Sequence, residues 1–160
     1  MDAAHLLDAL RTEGDAALRA AQDREDLAVP HLDWTVADLV EHLGGVYERF
    51  AQCLSGEVPA WPEPDTVPSP DGDVVDWARV RLGRVVTAVG AADLDAEFPT
   101  WAGPRDGSWV LRRLANETAV HRWDLEAATG TADPLPTDLA IEVTDEFLTA
   151  VVANRGLPGV

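Results

Sequence analysis

The chain has 160 residues, with 29 acidic side chains against 12 basic ones and a formal net charge of −17. A surface this acidic repels phosphate backbones and anionic headgroups, because non-specific nucleic-acid binding rests on Lys and Arg displacing counterions, so DNA, RNA and membranes are not expected partners. The length suits one domain, able to bury about 68–70% of its unfolded surface without disulfide or metal staples, and 46% hydrophobic residues exclude a disordered acidic tail.

Apolar residues recur at helical spacing in five places, and no stretch shows the sustained alternation of a half-buried strand. The first expected helix follows Asp2 as N-cap and runs to about Gln22, with Leu6, Leu10, Leu18 and Ala21 as its stripe and Gly14 as a weakening residue. A second opens at Thr35, where Thr35 and Asp38 form a capping box and Trp34 and Leu39 sit at hydrophobic-staple spacing. Its stripe of Val36, Leu39, Val40, Leu43, Val46, Tyr47 and Phe50 continues to about Leu54. Prolines 59, 62, 64, 68 and 70 make residues 55–73 a long surface loop. A third helix is expected from Val74 to Val89, capped by Asp73 and stopped by Gly90. Phe98 to Ser108 reads as irregular. A fourth runs from about Trp109 to Thr129 and ends at Gly130, a residue suited to the left-handed position after a helix. A fifth begins after Pro136 and runs to about Ala153. The expected fold is all-α: a four-helix bundle with long connections and an additional C-terminal helix, in a single domain over 1–160.

The 12 basic residues are all Arg. The single Cys53 can form neither an internal disulfide nor a thiolate cluster, which points to a reducing cytoplasm. The N-terminus lacks the basic region and apolar core of a signal peptide, and no run of about 18 apolar residues occurs.

The fourth helix carries the informative pattern. Val110, Leu114, Glu117, His121, Leu125 and Ala128 follow one another at spacings of four, three, four, four and three, so two ionisable groups occupy the core-facing row. A carboxylate in a bundle core is costly unless it is paired or binds a metal. A hydrogen-bonded Glu–His pair is the plain alternative. His42, three residues after Leu39 and four before Val46, borders the stripe of the second helix and is a third candidate ligand, with a partly exposed histidine as the alternative. Two His and one carboxylate suit Zn²⁺, with Fe²⁺, Mn²⁺ or Ni²⁺ as competitors, and three protein ligands leave a position open. His5 and His31 read as exposed.

Two segments carry a family resemblance. Asp33-Trp34-Thr35-Val36-Ala37-Asp38-Leu39-Val40-Glu41-His42-Leu43-Gly44-Gly45-Val46-Tyr47 and Glu117-Thr118-Ala119-Val120-His121-Arg122-Trp123-Asp124 are similar to blocks of the mycothiol-dependent maleylpyruvate isomerase N-terminal domain, within the DinB-like metal-binding four-helix bundles. Together with Trp101 to Pro104, Trp109 and Arg112-Arg113, the resemblance spans about residues 1–153. It implies a divalent metal, usually taken as Zn²⁺, held by His42, Glu117 and His121, with mycothiol as the thiol co-substrate. The isomerase proper has a further C-terminal domain that supplies a catalytic arginine, and this chain ends at Val160. A mycothiol S-transferase or another thiol-dependent activity therefore stands at least level with the isomerase.

Several further residues have two readings. Asp38 can orient His42, but the capping box already accounts for it. Arg113 and Arg122 can receive the carboxylates of a substrate or thiol, or pair with the many surface acids. Trp101 and Trp109 can wall the site, or pack in the core. Asp124 and Glu126 read as a solvated face, and Cys53 as a quiet helix residue. The leading expectation is a cytoplasmic metal-dependent enzyme that activates mycothiol for isomerisation of, or S-transfer to, a small electrophile. The alternatives are a non-catalytic metal-binding or interaction module and a thiol-independent metal-dependent hydrolase, and bundles of this sort can form homodimers.

Overall fold

The computed structural model describes residues 1–152. Helix α1 (Ala3–Ala21) starts where the Asp2 carboxylate accepts the His5 amide at 2.9 Å. Helix α2 (Val36–Leu54) opens with the expected capping box: Thr35 Oγ1 accepts the Asp38 amide, and Asp38 Oδ2 accepts the Thr35 amide at 2.8 Å. Asp73 caps helix α3 (Val74–Ala91), and Asp106 caps helix α4 (Gly107–Thr129), which ends at Gly130 with φ 72° in the left-handed region. Helix α5 (Thr137–Glu146) follows, continuing into a π-helical segment at Phe147–Val152.

Four helices bury their stripes against one another. α1 packs most extensively on α4 and α2 on α3, while α1/α3 and α2/α4 close the other two sides of the bundle more loosely. The order around the bundle is therefore α1, α3, α2, α4, and the connection between α1 and α2 crosses from one corner to the opposite one. The fully buried Leu10, Leu39, Leu43, Val85, Val110, Leu114 and Leu125 fill the centre. Each large apolar side chain removed from water this way contributes about 1.5–3 kcal/mol before entropy is counted. Gly14 proves to be a packing residue, since a Cβ there would lie 2.7 Å from Leu82 of α3. α5 lies outside the four-helix core and docks on α4.

Three expectations need correction. α3 runs past Gly90 to Ala91, because a helical glycine costs only about 1 kcal/mol against alanine and does not by itself end a helix. The Phe98–Ser108 stretch includes all but the first residue of a small antiparallel hairpin, β1 (Glu97–Phe98) with β2 (Arg105–Asp106), and its end forms the start of α4. The α-helical part of α5 stops at Glu146, and the expected end at Ala153 lies outside the described residues. Trp34, just before the Thr35 cap, is exposed and stands beside His42, with ring centroids 5.2 Å apart. No helix among the described residues is long and apolar enough to cross a membrane.

Candidate metal centre

The loosest of the four sides of the bundle, between α2 and α4, is where ionisable side chains meet. Glu117 and His121 stand one turn apart between the buried Leu114 and Leu125, so the helical repeat turns both toward the interior. His42 comes from α2, between the buried Leu39 and Val46. Its Nε2 lies 3.0 Å from Glu117 Oε1, and the same oxygen lies 3.3 Å from His121 Nε2. One ligand atom from each of the three residues can be chosen so that all lie within 4.8 Å of one another. The imidazole planes of His42 and His121 are nearly perpendicular, at 85°.

Further contacts fix these groups. The Asp124 carboxylate is 2.9 Å from His121 Nδ1, leaving Nε2 toward Glu117. Arg113 Nη2 donates to Glu117 Oε2, so one carboxylate oxygen is tied and the other faces both imidazoles. Burial opposes the charge on Glu117, but Arg113 and the two histidines outweigh it and hold the carboxyl well below the usual range. Burial would likewise depress His121, yet Asp124 and Glu117 prevail and raise it to about 9. An ionised carboxylate can only accept, so without a metal the imidazole N–H groups donate to Glu117.

The donor set fits a divalent ion. Two ligands on Zn²⁺, with bonds of about 2.0–2.1 Å at a tetrahedral angle, are about 3.3 Å apart, close to the 3.0 and 3.3 Å found here. Two imidazoles and a carboxylate are borderline ligands that suit Zn²⁺ and its neighbours. Beside the cluster, His42 forms part of the wall of a cavity of about 480 Å³, together with Trp34, Trp77, Glu41 and Arg49.

The other candidate residues fall elsewhere or are already engaged. Asp38 lines the cavity, but both the Thr35 amide and hydroxyl donate to its carboxylate. Arg113 bridges Glu117 and Glu146. Arg122 is buried and donates to Glu13, to Glu126 and to the Asp133 carbonyl, so its guanidinium is spent on holding α1 and the turn after α4. Trp101 and Trp109 pack edge to face, with centroids 5.9 Å apart. Trp109 sits eight residues before Glu117, about 12 Å along the helix, and lines a separate hollow with Met1 and Leu6. The tryptophans at the cavity are Trp34 and Trp77. Asp124 and Glu126 are not a solvated face: the first holds His121 and the second accepts from Arg122. The Asp124 contact is compatible with its place three residues after His121 but not dictated by it, and Glu146 carried no local signal.

Residues 7–126, including all three cluster residues, match the sequence profile of the mycothiol maleylpyruvate isomerase N-terminal domain. The chain belongs to that family. It is also 30% identical over 115 residues to an uncharacterized protein of Mycobacterium tuberculosis strain CDC 1551 / Oshkosh, and equally to one of strain ATCC 25618 / H37Rv. Each alignment covers 71% of this chain and 59% of the relative, so the chain spans well under two thirds of these relatives' length. No solved structure matches. The matched segment of this isomerase N-terminal domain comprises most of α1, all of α2 and α3, and nearly all of α4; α5 lies beyond it.

Proposed function

We propose that this domain is a single metal-binding bundle that holds a divalent ion, Zn²⁺ foremost, on His42, Glu117 and His121, and uses it to activate mycothiol for reaction with a small electrophile. The observation that carries the reading is the convergence of three donor atoms from two helices beside a cavity. When bound, such an ion supplies Lewis acidity that lets a thiol lose its proton at neutral pH.

The chain's own residues do the rest. Asp124 fixes the ring of His121, and Arg113 fixes one oxygen of Glu117, so the donors are positioned before any ligand arrives. Trp34 and Trp77 give the cavity apolar surface for a co-substrate. Asp33, Asp38 and Glu41 line it against the single guanidinium of Arg49, while Arg113 is committed to two carboxylates. That balance disfavours a dicarboxylate and favours S-transfer to a neutral electrophile with an activated double bond: the sulfur–carbon bond forms as the S–H bond and the carbon–carbon π bond break, and the thiol proton ends on the neighbouring carbon.

Purified protein is expected to carry a stoichiometric transition metal and to conjugate mycothiol to a neutral model electrophile in a metal-dependent way that His121→Ala abolishes. Protein that carries no metal, and whose stability ignores added Zn²⁺, overturns the reading. Conjugation without dependence on metal also overturns it. Metal-dependent turnover without thiol assigns the site to hydrolysis instead.

A further inference from the structure

α5 carries four acidic residues with ordered partners or none, and three of them meet arginines of α4. Glu142 accepts from Arg112 and from the N-terminal amine of Met1, and Asp145 accepts from Arg112. These contacts hold the helix without approaching the cluster. Glu146 differs. It is 2% exposed, and its Oε1 and Oε2 accept from Arg113 Nη1 at 3.3 and 3.0 Å. The other terminal nitrogen of the same guanidinium, Nη2, donates to Glu117 Oε2.

We propose that Glu146, which lies outside the family-matched segment, is a positioning residue for Glu117: by holding Arg113 from the far side, it fixes the guanidinium so that Arg113 engages one oxygen of Glu117 and leaves Oε1 for the centre. A guanidinium is a planar fork that pairs with a lone carboxylate through two parallel hydrogen bonds. Two carboxylates competing for one fork each receive part of it. Without Glu146, Arg113 is released to turn both prongs onto Glu117, drawing Oε1 away from His42 and His121.

Docking alone does not explain the arrangement. A second carboxylate buried beside Glu117 costs free energy that a neutral residue on α5 would avoid, and burial indeed pushes the Glu146 carboxyl up despite Arg113. Leu139, buried on the same helix, and the Arg112 contacts already anchor α5.

The inference rests on the metal reading above, and the experiment separates the two. Metal-free protein, Glu146→Gln and the control Glu142→Gln are titrated with Co²⁺, following its visible absorption, and each metal-free melting temperature is recorded. Glu146→Gln is expected to weaken Co²⁺ binding roughly 10- to 100-fold, the usual effect of losing a partner behind a metal ligand, and to alter the absorption bands. Glu142→Gln is expected to lower the melting temperature at least as much while leaving Co²⁺ affinity and bands unchanged. Wild-type affinity and bands in Glu146→Gln overturn the proposal, as does an equal loss in both variants. A second arm needs no metal: the imidazole signals of His121 at fixed pH, read by NMR, move in Glu146→Gln and stay in Glu142→Gln. If the wild-type protein takes up no Co²⁺, the metal reading fails and this arm decides the positioning role. Unmoved His121 signals in Glu146→Gln then overturn it.

Discussion

Asp124 Oδ2 lies 2.9 Å from Nδ1 of His121, three residues away on the same helix, and thereby fixes which ring nitrogen is turned toward Glu117. Asp124→Asn keeps the size of the side chain and removes the charge. Its metal affinity is expected to fall about 10- to 100-fold, measured by competition with a coloured chelator, with little change in helix content. An unchanged affinity would mean that His121 needs no external orientation.

The same contact sets a pH dependence. In metal-free protein the His121 pKa is raised from 6.5 to about 9, so at neutral pH an incoming ion must displace a proton. Affinity is expected to climb about tenfold per pH unit and to level off near pH 9, with proton release detected by calorimetry in buffers of different ionisation enthalpy. The stability of metal-free protein runs the other way. Because the folded pKa lies above the unfolded one, the stabilisation from His121 is complete below about pH 6.5 and is lost as pH rises through about 9. Denaturant midpoints across that window check the sign.

Tyr47 and Thr118 share a buried hydroxyl pair 3.0 Å apart, between the same two helices that carry the cluster. Tyr47→Phe leaves Thr118 Oγ1 without that partner. The cost is expected to be about 1 kcal/mol, or roughly 2–4 °C in melting temperature for a domain of this size. Metal content is expected to stay the same, since neither hydroxyl belongs to the donor set.

Gly44 faces the indole of Trp77, and an added Cβ would collide with that ring. The Arg81 guanidinium also stacks on this indole, 3.8 Å from the ring centroid, so moving Trp77 disturbs a second contact. Gly44→Ala is expected to destabilise by about 1–3 kcal/mol despite alanine's better helix propensity. Urea unfolding gives the number. Because Trp77 also walls the cavity, its fluorescence is expected to shift.

The parts of the molecule written in neighbouring residues were legible in advance. The Thr35–Asp38 box, the Gly130 terminus and the inward row of Glu117 and His121 all follow from spacing within one helix. His42 could be placed on the border of its stripe for the same reason. What sequence spacing does not encode is which helices meet. Arg113 finds Glu146 across 33 residues, and Arg122 finds Glu13 across 109. Arg113 and Arg122 keep two readings in the sequence, receiving a carboxylate of a substrate or pairing with acids, because Glu146 and Glu13 stand on other helices. Asp124 was misassigned for a different reason: at helical spacing, an acid beside a histidine looks the same whether it faces water or holds the ring.

Cys53 is the chain's one cysteine, buried in α2, its thiol pushed up to about 11 mainly by burial. At neutral pH it offers almost no thiolate, and so cannot rival a co-substrate sulfur or trap an electrophile through a side reaction. The Cys53 thiol is therefore a poor target for thiol-directed reagents in the folded protein. Sulfur-dependent labelling or turnover seen in its presence can be credited to the added thiol, and the protein needs no cysteine-free variant before such assays begin.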